Sequence, residues 1–245
     1  MAAGLGTRLK PLTDSKPKAL VEVAGVPMLE RVIRKLKAAG FDYIVVNVHH
    51  FGNDIKKFLA ANDFGVEIHV SDENETLLDT GGGLVKASEM LFAHDNDPVL
   101  VHNVDIISNA SFQELMKNYR SREHSTVLLI SERDSSRKLI FDKNNQLIGW
   151  HNLATGEVRH HGLSLPSGFK EYAFSGIYVM GKEAINEMKK LLGGGKYSII
   201  EYFLHPDRKL KVTGFEQKDL DILDIGKPAT LSQASIKMKK PNLFY

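Results

Sequence analysis

GLGTRLKPLTDSKPKAL, Gly4–Leu20, packs two glycines, an arginine, three lysines and two prolines into one loop-like run. Apolar sequence with helix or strand periodicity follows at once. Glycine lets the backbone approach a ligand closely, with N–H groups free to face oxygens. Arg8 adds a planar donor fork and Lys18 a compact charge, and both suit phosphate. The run therefore reads as a loop that holds a polyphosphate. Its spacing is not that of the commoner phosphate loops. No G-x-x-x-x-G-K-[ST] stretch exists, and the dinucleotide fingerprint G-x-G-x-x-G would need glycine where Leu9 stands.

Outward from this loop, strand and helix patterns alternate. Met28, Leu29, Val32, Ile33 and Leu36 form a helical stripe over Met28–Ala39, opened by Pro27 and closed by Gly40. Tyr43–His49 is a β-branched strand, Asp54–Asn62 a helix and Val66–Ser71 a strand. Thr80-Gly-Gly-Gly83 opens a helix through Leu91, and Pro98–Asp105 is the next strand. Ser111-x-x-Glu114 caps a helix to about Arg122, and Ser125–Ser131 is again a strand. This alternation predicts an α/β fold with a Rossmann-like, doubly wound, mostly parallel sheet.

After Ser131 the pattern changes. Leu139–Asp142 and Gln146–His151 flank Lys143-Asn144-Asn145 as a hairpin with antiparallel character. Glu171–Met180 reads as a longer strand, Lys182–Leu192 as a helix, and Ser198-x-x-Glu201 as the cap of a short one. Lys209–Phe215 is a strand, and Pro228 starts a last helix to about Lys239. No linker or repeat divides the halves, so residues 1–245 read as one domain, 1–131 and 132–245 sharing a sheet.

Composition narrows the function classes. A net charge of +2 gives no electrostatic case for nucleic acid or for an anionic membrane. With no cysteine, disulfides, cysteine–zinc sites and thiol chemistry are excluded. No apolar run approaches the roughly 18 residues of a membrane span, and no signal-peptide pattern opens the sequence. The expected location is cytoplasmic, and the oligomeric state is left open. The adjacent pairs His49-His50 and His160-His161 lack the i, i+4 spacing of a helical zinc site and read as ordinary polar groups. Lys56-Lys57, Lys189-Lys190 and Lys239-Lys240 read as solvated helix faces.

The run from Ala2 to Gly25, A-A-G-x-G-T-R-x-x-P-L-T followed by P-K-A-L, resembles the signature of sugar-1-phosphate nucleotidyltransferases. That resemblance covers almost the whole chain. It implies Mg²⁺-dependent transfer from an NTP, with UTP favoured, to a sugar-1-phosphate, releasing pyrophosphate. The T-G-G-G turn and short length look most like uridylyltransferases of the N-acetylmuramate-1-phosphate type. Mannose-1-phosphate guanylyltransferases and phosphocholine cytidylyltransferases share the loop. A catalytically silent sugar-nucleotide binding module is the rival from another class.

The resemblance also implies roles. Arg8 would grip the β- and γ-phosphates, and Lys18 would bridge the reacting phosphates. Ala3, Gly4, Gly6, Thr7 and Asn103, together with Thr80, Gly81 and Gly82, would line the nucleotide site. Asp105 and Asp224 would hold the metal, Asp105 at a strand end and Asp224 in a D-I-G-K-P element similar to the family's D-I-G-T-P. The lesser alternative is a βα-loop cap for Asp105 and an N-cap or turn residue for Asp224. Ser175 and Gly176 would line the sugar pocket. Glu201 would bond sugar hydroxyls, with its capping-box position an even alternative.

Three departures stand out. Val104 replaces the usual glycine before Asp105. The family's acceptor-phosphate lysine, in an E-K-P-like element, has no evident counterpart; Lys170 and Arg159 are weak stand-ins. Relatives carry an apolar central strand directly before A-A-G, whereas here Met1-Ala2-Ala3 stands at that point. A doubly wound sheet without that strand is expected to leave unpaired edges and an opened core.

Overall fold

Helix α1, Met28–Ala38, buries Met28, Leu29, Val32, Ile33 and Leu36, the stripe its sequence spacing predicts. It belongs to a computed structural model that describes residues 1–73, 76–93, 96–121, 126–160 and 165–238. Ahead of it, β1 (Glu22–Val23) and β2 (Val26–Pro27) form a small hairpin. Its two turn residues, Ala24 and Gly25, both have positive φ, the turn that suits strand twist. Then come β3 (Tyr43–Val48), α2 (Gly52–Ala61), β4 (Glu67–Asp72) and α3 (Asp79–Leu91). Next are β5 (Val99–His102), β6 (Ile106–Ser108), α4 (Phe112–Arg120) and β7 (Thr126–Ser131). The expected ends at Arg122, Ser125 and Lys239, and residues His161 and Lys240, lie outside the described residues.

The second half begins with β8 (Arg137–Phe141), β9 (Leu147–Asn152) and β10 (Glu157–His160), an antiparallel meander. The 11-residue β11 (Lys170–Met180) follows, then α5 (Lys182–Leu192) and α6 (Ile199–Phe203). The chain closes with β12 (Val212–Glu216), β13 (Ile222–Asp224) and α7 (Pro228–Lys237). Strand β11 is the spine: its first residues pair with β8, and the remainder with β7 and β5. A seven-stranded sheet results, in the order β10-β9-β8-β11-β7-β12, with β5 on β11.

Alternate residues of the central strands feed two cores, one on each face. Val127, Leu129, Ile177 and Val179 pack with α1, α2 and α4, whereas Leu128, Ile130, Tyr178 and Met180 pack with α3, α5 and α6. Helices thus cover both faces, as the α/β reading expects. The sheet is mixed, but its parallel share is smaller than the alternation suggests. Pairs β3–β4 and β7–β12 are parallel, whereas β11 runs opposite to both β5 and β7. The long strand of the second half inserts between strands of the first, and only local alternation is visible in sequence.

Between β3 and β5 lies a cavity of about 620 Å³, lined by Ile44 and Val46 on one side and Leu100 and His102 on the other. Helix α1 covers one face through Ile33 and α3 the other through Leu84. Met1 sits at its end. The Met1 ammonium donates to the His102 carbonyl at 2.6 Å, and Val104 N–H donates to the Met1 carbonyl at 3.0 Å. This is how one residue of a parallel strand pairs beside β5. The cavity therefore occupies the sheet layer, where the resemblance places an apolar strand.

Candidate functional site

Gly6 adopts a left-handed conformation, φ 66°, and there the loop doubles back on itself. Its carbonyl accepts from Leu9 N–H at 2.8 Å and from the Thr13 hydroxyl at 2.8 Å. A Cβ at Gly6 would come within 2.9 Å of Thr13 Cγ2 and 3.1 Å of Lys18 Cβ, so only glycine permits this closure. Leu9, fully buried, anchors the turn and leaves Thr7 and Arg8 exposed. The second turn, Lys18–Leu20, is pinned by buried Ala19.

Lys18 Nζ donates to Asp105 Oδ2, and both side chains are mostly shielded, 13% and 16% exposed, so salt screens the pair weakly. Asp105 follows β5. Its carbonyl accepts from Ile225 N–H at 2.9 Å, and β13 pairs antiparallel with β6 so that Asp224 stands opposite Ile106. Asp224 Oδ1 accepts from Gly226 N–H at 2.8 Å. A Cβ on Gly226 would lie 2.7 Å from Arg8 Nη2 and 2.8 Å from Asp224 Oδ1, so Arg8 and Asp224 flank the same point. Arg8 thus lies beside Asp224, whose strand β13 is held by backbone pairing next to the turn that carries the Lys18–Asp105 pair.

A cleft of about 170 Å³ opens beside them, lined by Ala3, Gly4, Lys18, Thr80, Asn103 and Asp105 among others. Gly4 faces open space. Beneath the cleft runs a buried polar relay that the sequence reading does not single out. Ala2 N–H donates to Asn47 Oδ1 at 2.6 Å, and Asn47 Nδ2 to Glu73 Oε1 at 2.7 Å. Leu78 N–H donates to Glu73 Oε2 at 2.7 Å. Asn47 and Glu73 are each 3% exposed, and buried polar groups persist where they are paired. The available signal was an amide within the otherwise apolar strand Tyr43–Val48.

Several expected contacts take other forms. Gly81 and Gly82 direct their N–H groups at the Tyr197 carbonyl, at 2.9 and 3.4 Å. Cβ atoms there would collide with the Tyr197 ring and the Gly195 carbonyl, so these glycines pack α3 against the loop before α6 rather than reading a base. Thr80 lines the cleft, but its hydroxyl accepts from Ile199 N–H at 2.9 Å. Ser175 is buried and donates to the Leu129 carbonyl at 2.6 Å, stapling a β11 irregularity instead of facing a sugar. Gly176, φ 74°, accepts from Asn103 N–H at 3.0 Å and packs on the Asn103 side chain. Glu201 is exposed and completes the α6 capping box, which decides its even alternative in favour of the cap.

The doubled-back glycine loop with its cations and the Asp105 turn after β5 thus lie together on an α/β fold. The nucleotidyl transferase family model matches residues 1–139, more than half of the chain, and the chain belongs to that family. An N-acetylmuramate alpha-1-phosphate uridylyltransferase of Caulobacter vibrioides is 43% identical over 110 residues, 44% of either chain. A mannose-1-phosphate guanyltransferase of Gibberella zeae is 38% identical over 140 residues, 56% of this chain and 38% of that one. The chain thus spans less than half the length of these relatives. Among solved structures, HddC from Yersinia pseudotuberculosis complexed with GMP-PN superposes with a TM-score of 0.74 at 21% identity, covering 97% of this chain and 96% of that one. The inositol-1-phosphate CTP transferase from T. maritima gives 0.75 at 16% identity, over 98% of this chain and 94% of that one. These likenesses show the fold.

Two predictions follow from the geometry. Gly226→Ala should push Arg8 and Asp224 apart, weakening NTP affinity about tenfold with Tm nearly unchanged. Calorimetric titration at unaltered affinity would show that Arg8 retreats without loss. The second concerns His102, whose Nδ1 donates to the Asn103 carbonyl at 2.8 Å. Burial, with the Met1 ammonium nearby, pushes its pKa down to about 3 from an ordinary 6.5. The unfolded chain then takes up a proton below pH 6.5 that the folded chain refuses, so stability falls as pH drops from 6.5 towards 3. At about 1.4 kcal/mol per pH unit, wild type should lose roughly 2–3 kcal/mol more than His102→Gln between pH 6.5 and 4.5. Parallel urea-melt profiles of the two proteins would refute this.

Proposed function

We propose that the protein transfers a nucleotidyl group from an NTP to a sugar-1-phosphate. An oxygen of the sugar phosphate forms the new bond to the α-phosphorus, and the bond to the β-phosphate bridging oxygen breaks, releasing pyrophosphate. The carrying observation is the shielded Lys18–Asp105 pair in the wall of the cleft, which the β6–β13 pairing links to Asp224 and, beside Gly226, to Arg8. Two polyanions must meet here, so fixed positive charge and orientation matter more than an enzymic nucleophile. Arg8, exposed at the loop tip, takes the β- and γ-phosphates and the charge developing on the leaving group. Lys18 swaps its carboxylate partner for phosphate oxygens and draws in the acceptor. That Ala3 and Gly4 border the cleft supports a role for them in meeting the base.

Asp105, in the turn before β6, and Asp224, on β13, are hard oxygen donors, and among the described residues no group of three or more acidic, histidine or cysteine side chains forms a cage. That donor set fits Mg²⁺, which takes one or two carboxylates and completes its shell with phosphate oxygens and water. Bound there, Mg²⁺ would neutralise charge on the reacting phosphates. For the base, relatives named for uridylyl transfer and relatives named for guanylyl transfer support UTP and GTP equally.

A panel of the four NTPs against sugar-1-phosphates, read by pyrophosphate release with Mg²⁺, tests this reading and selects base and sugar. Arg8→Ala should lower turnover by about 10²–10³-fold, the usual effect of one preorganised donor. Asp105→Asn and Asp224→Asn should each abolish Mg²⁺-dependent release. Full activity in both carboxylate variants would remove the metal assignment.

A further inference from the structure

Arg133 lies two residues beyond β7, in the turn to β8, where one half of the chain gives way to the other. Its Nη2 donates to the Phe174 carbonyl at 3.0 Å, and Nη1 reaches the Asp134 carbonyl only at 3.5 Å. Nε is buried without a partner. Among the described residues no carboxylate forms an ion pair with it. A half-buried guanidinium without a counter-anion is costly to keep. The acid whose charge reaches it is Asp224, one of the paired carboxylates, whose attraction works against the lowering of its pKa by burial.

Its position is held from both sides. Lys138 Nζ donates to the Arg133 carbonyl at 2.6 Å, which fixes the turn. Phe174 immediately precedes the Ser175-Gly176 irregularity of β11, whose Gly176 carbonyl accepts from Asn103 N–H. Arg133 is therefore tied to the strand segment that adjoins Asn103, two residues before Asp105. The cations named by the sequence are placed otherwise. Arg159, exposed on β10, pairs with Glu157 and lies over the Trp150 ring, and Lys170 is exposed at the start of β11.

We propose that Arg133 is the acceptor-side cation: its guanidinium receives the phosphate of the sugar-1-phosphate, while Arg8 and Lys18 serve the NTP. This rests on the transferase reading above. A planar fork with donors to spare matches a phosphate held in two places, which a lysine's single point does not. The phosphate supplies the anion that Arg133 lacks, meeting Nη1 and the remaining hydrogen of Nη2, and the contact to Phe174 sets the fork's direction.

The test compares wild type, Arg133→Lys and Arg133→Met in pyrophosphate release, using mannose 1-phosphate or N-acetylmuramate 1-phosphate, whichever wild type consumes. Each substrate is varied against saturating amounts of the other. Acceptor KM should rise about tenfold in Arg133→Lys and about a hundredfold in Arg133→Met, with NTP KM within about twofold. Added guanidinium ion should partly restore Arg133→Met, a rescue that a merely structural strap would not show. If Arg133→Met melts early, Arg133→Lys and calorimetric titration of the acceptor carry the decision. Unchanged acceptor KM, or equal losses for both substrates, overturns the assignment while leaving the reaction standing. A wild type that releases no pyrophosphate across the whole panel overturns both.

Discussion

The short antiparallel pairing of Ile222–Asp224 with Ile106–Ser108 makes one site out of two distant stretches of chain. It is only three residues long on each side, extended by the Ile225 N–H bond to the Asp105 carbonyl. Without it Asp224 would have no fixed relation to Asp105, and Gly226 would not seat the Arg8 guanidinium. Such a small ladder cannot hold by itself. Buried Ile106, Ile107 and Ile225 tie it to the core shared by α1 and α4, so apolar packing sets the spacing of the two carboxylates.

A second constraint works from beneath the loop. The buried Asn47–Glu73 relay joins the backbone of Ala2 to that of Leu78, fixing the first loop relative to the start of α3. A Cβ on Gly83 would come within 2.6 Å of Glu73 Oε1, which gives the third glycine of that turn its reason. Each relay member uses hydrogen bonds that water would otherwise supply, and breaking one leaves a buried group unpaired. The floor of the cleft is thus rigid for electrostatic as well as steric reasons.

Local signals were readable in the sequence. The α5 boundaries, the Ser198–Glu201 capping box and the β8–β9 hairpin depend on neighbours within a few residues, and all appear as expected. The Gly4–Leu20 loop is legible for the same reason, since its glycines and cations lie within one short run. What was hidden depends on contacts between distant residues. The insertion of β11 between β5 and β7, the packing of Tyr197 on Gly81 and the diversion of Ser175 to Leu129 have no local signature. Strands β6 and β13 are too short to show a period. Arg133 resembles any turn arginine until the fold shows what surrounds it.

The shielded contact between Lys18 and Asp105 has a consequence for what the protein admits. Lysine and carboxylate cancel one another, so this end of the pocket offers a bare polyanion little net attraction. Displacing one member would leave the other shielded from water without its partner, so whatever enters here has to satisfy both charges together.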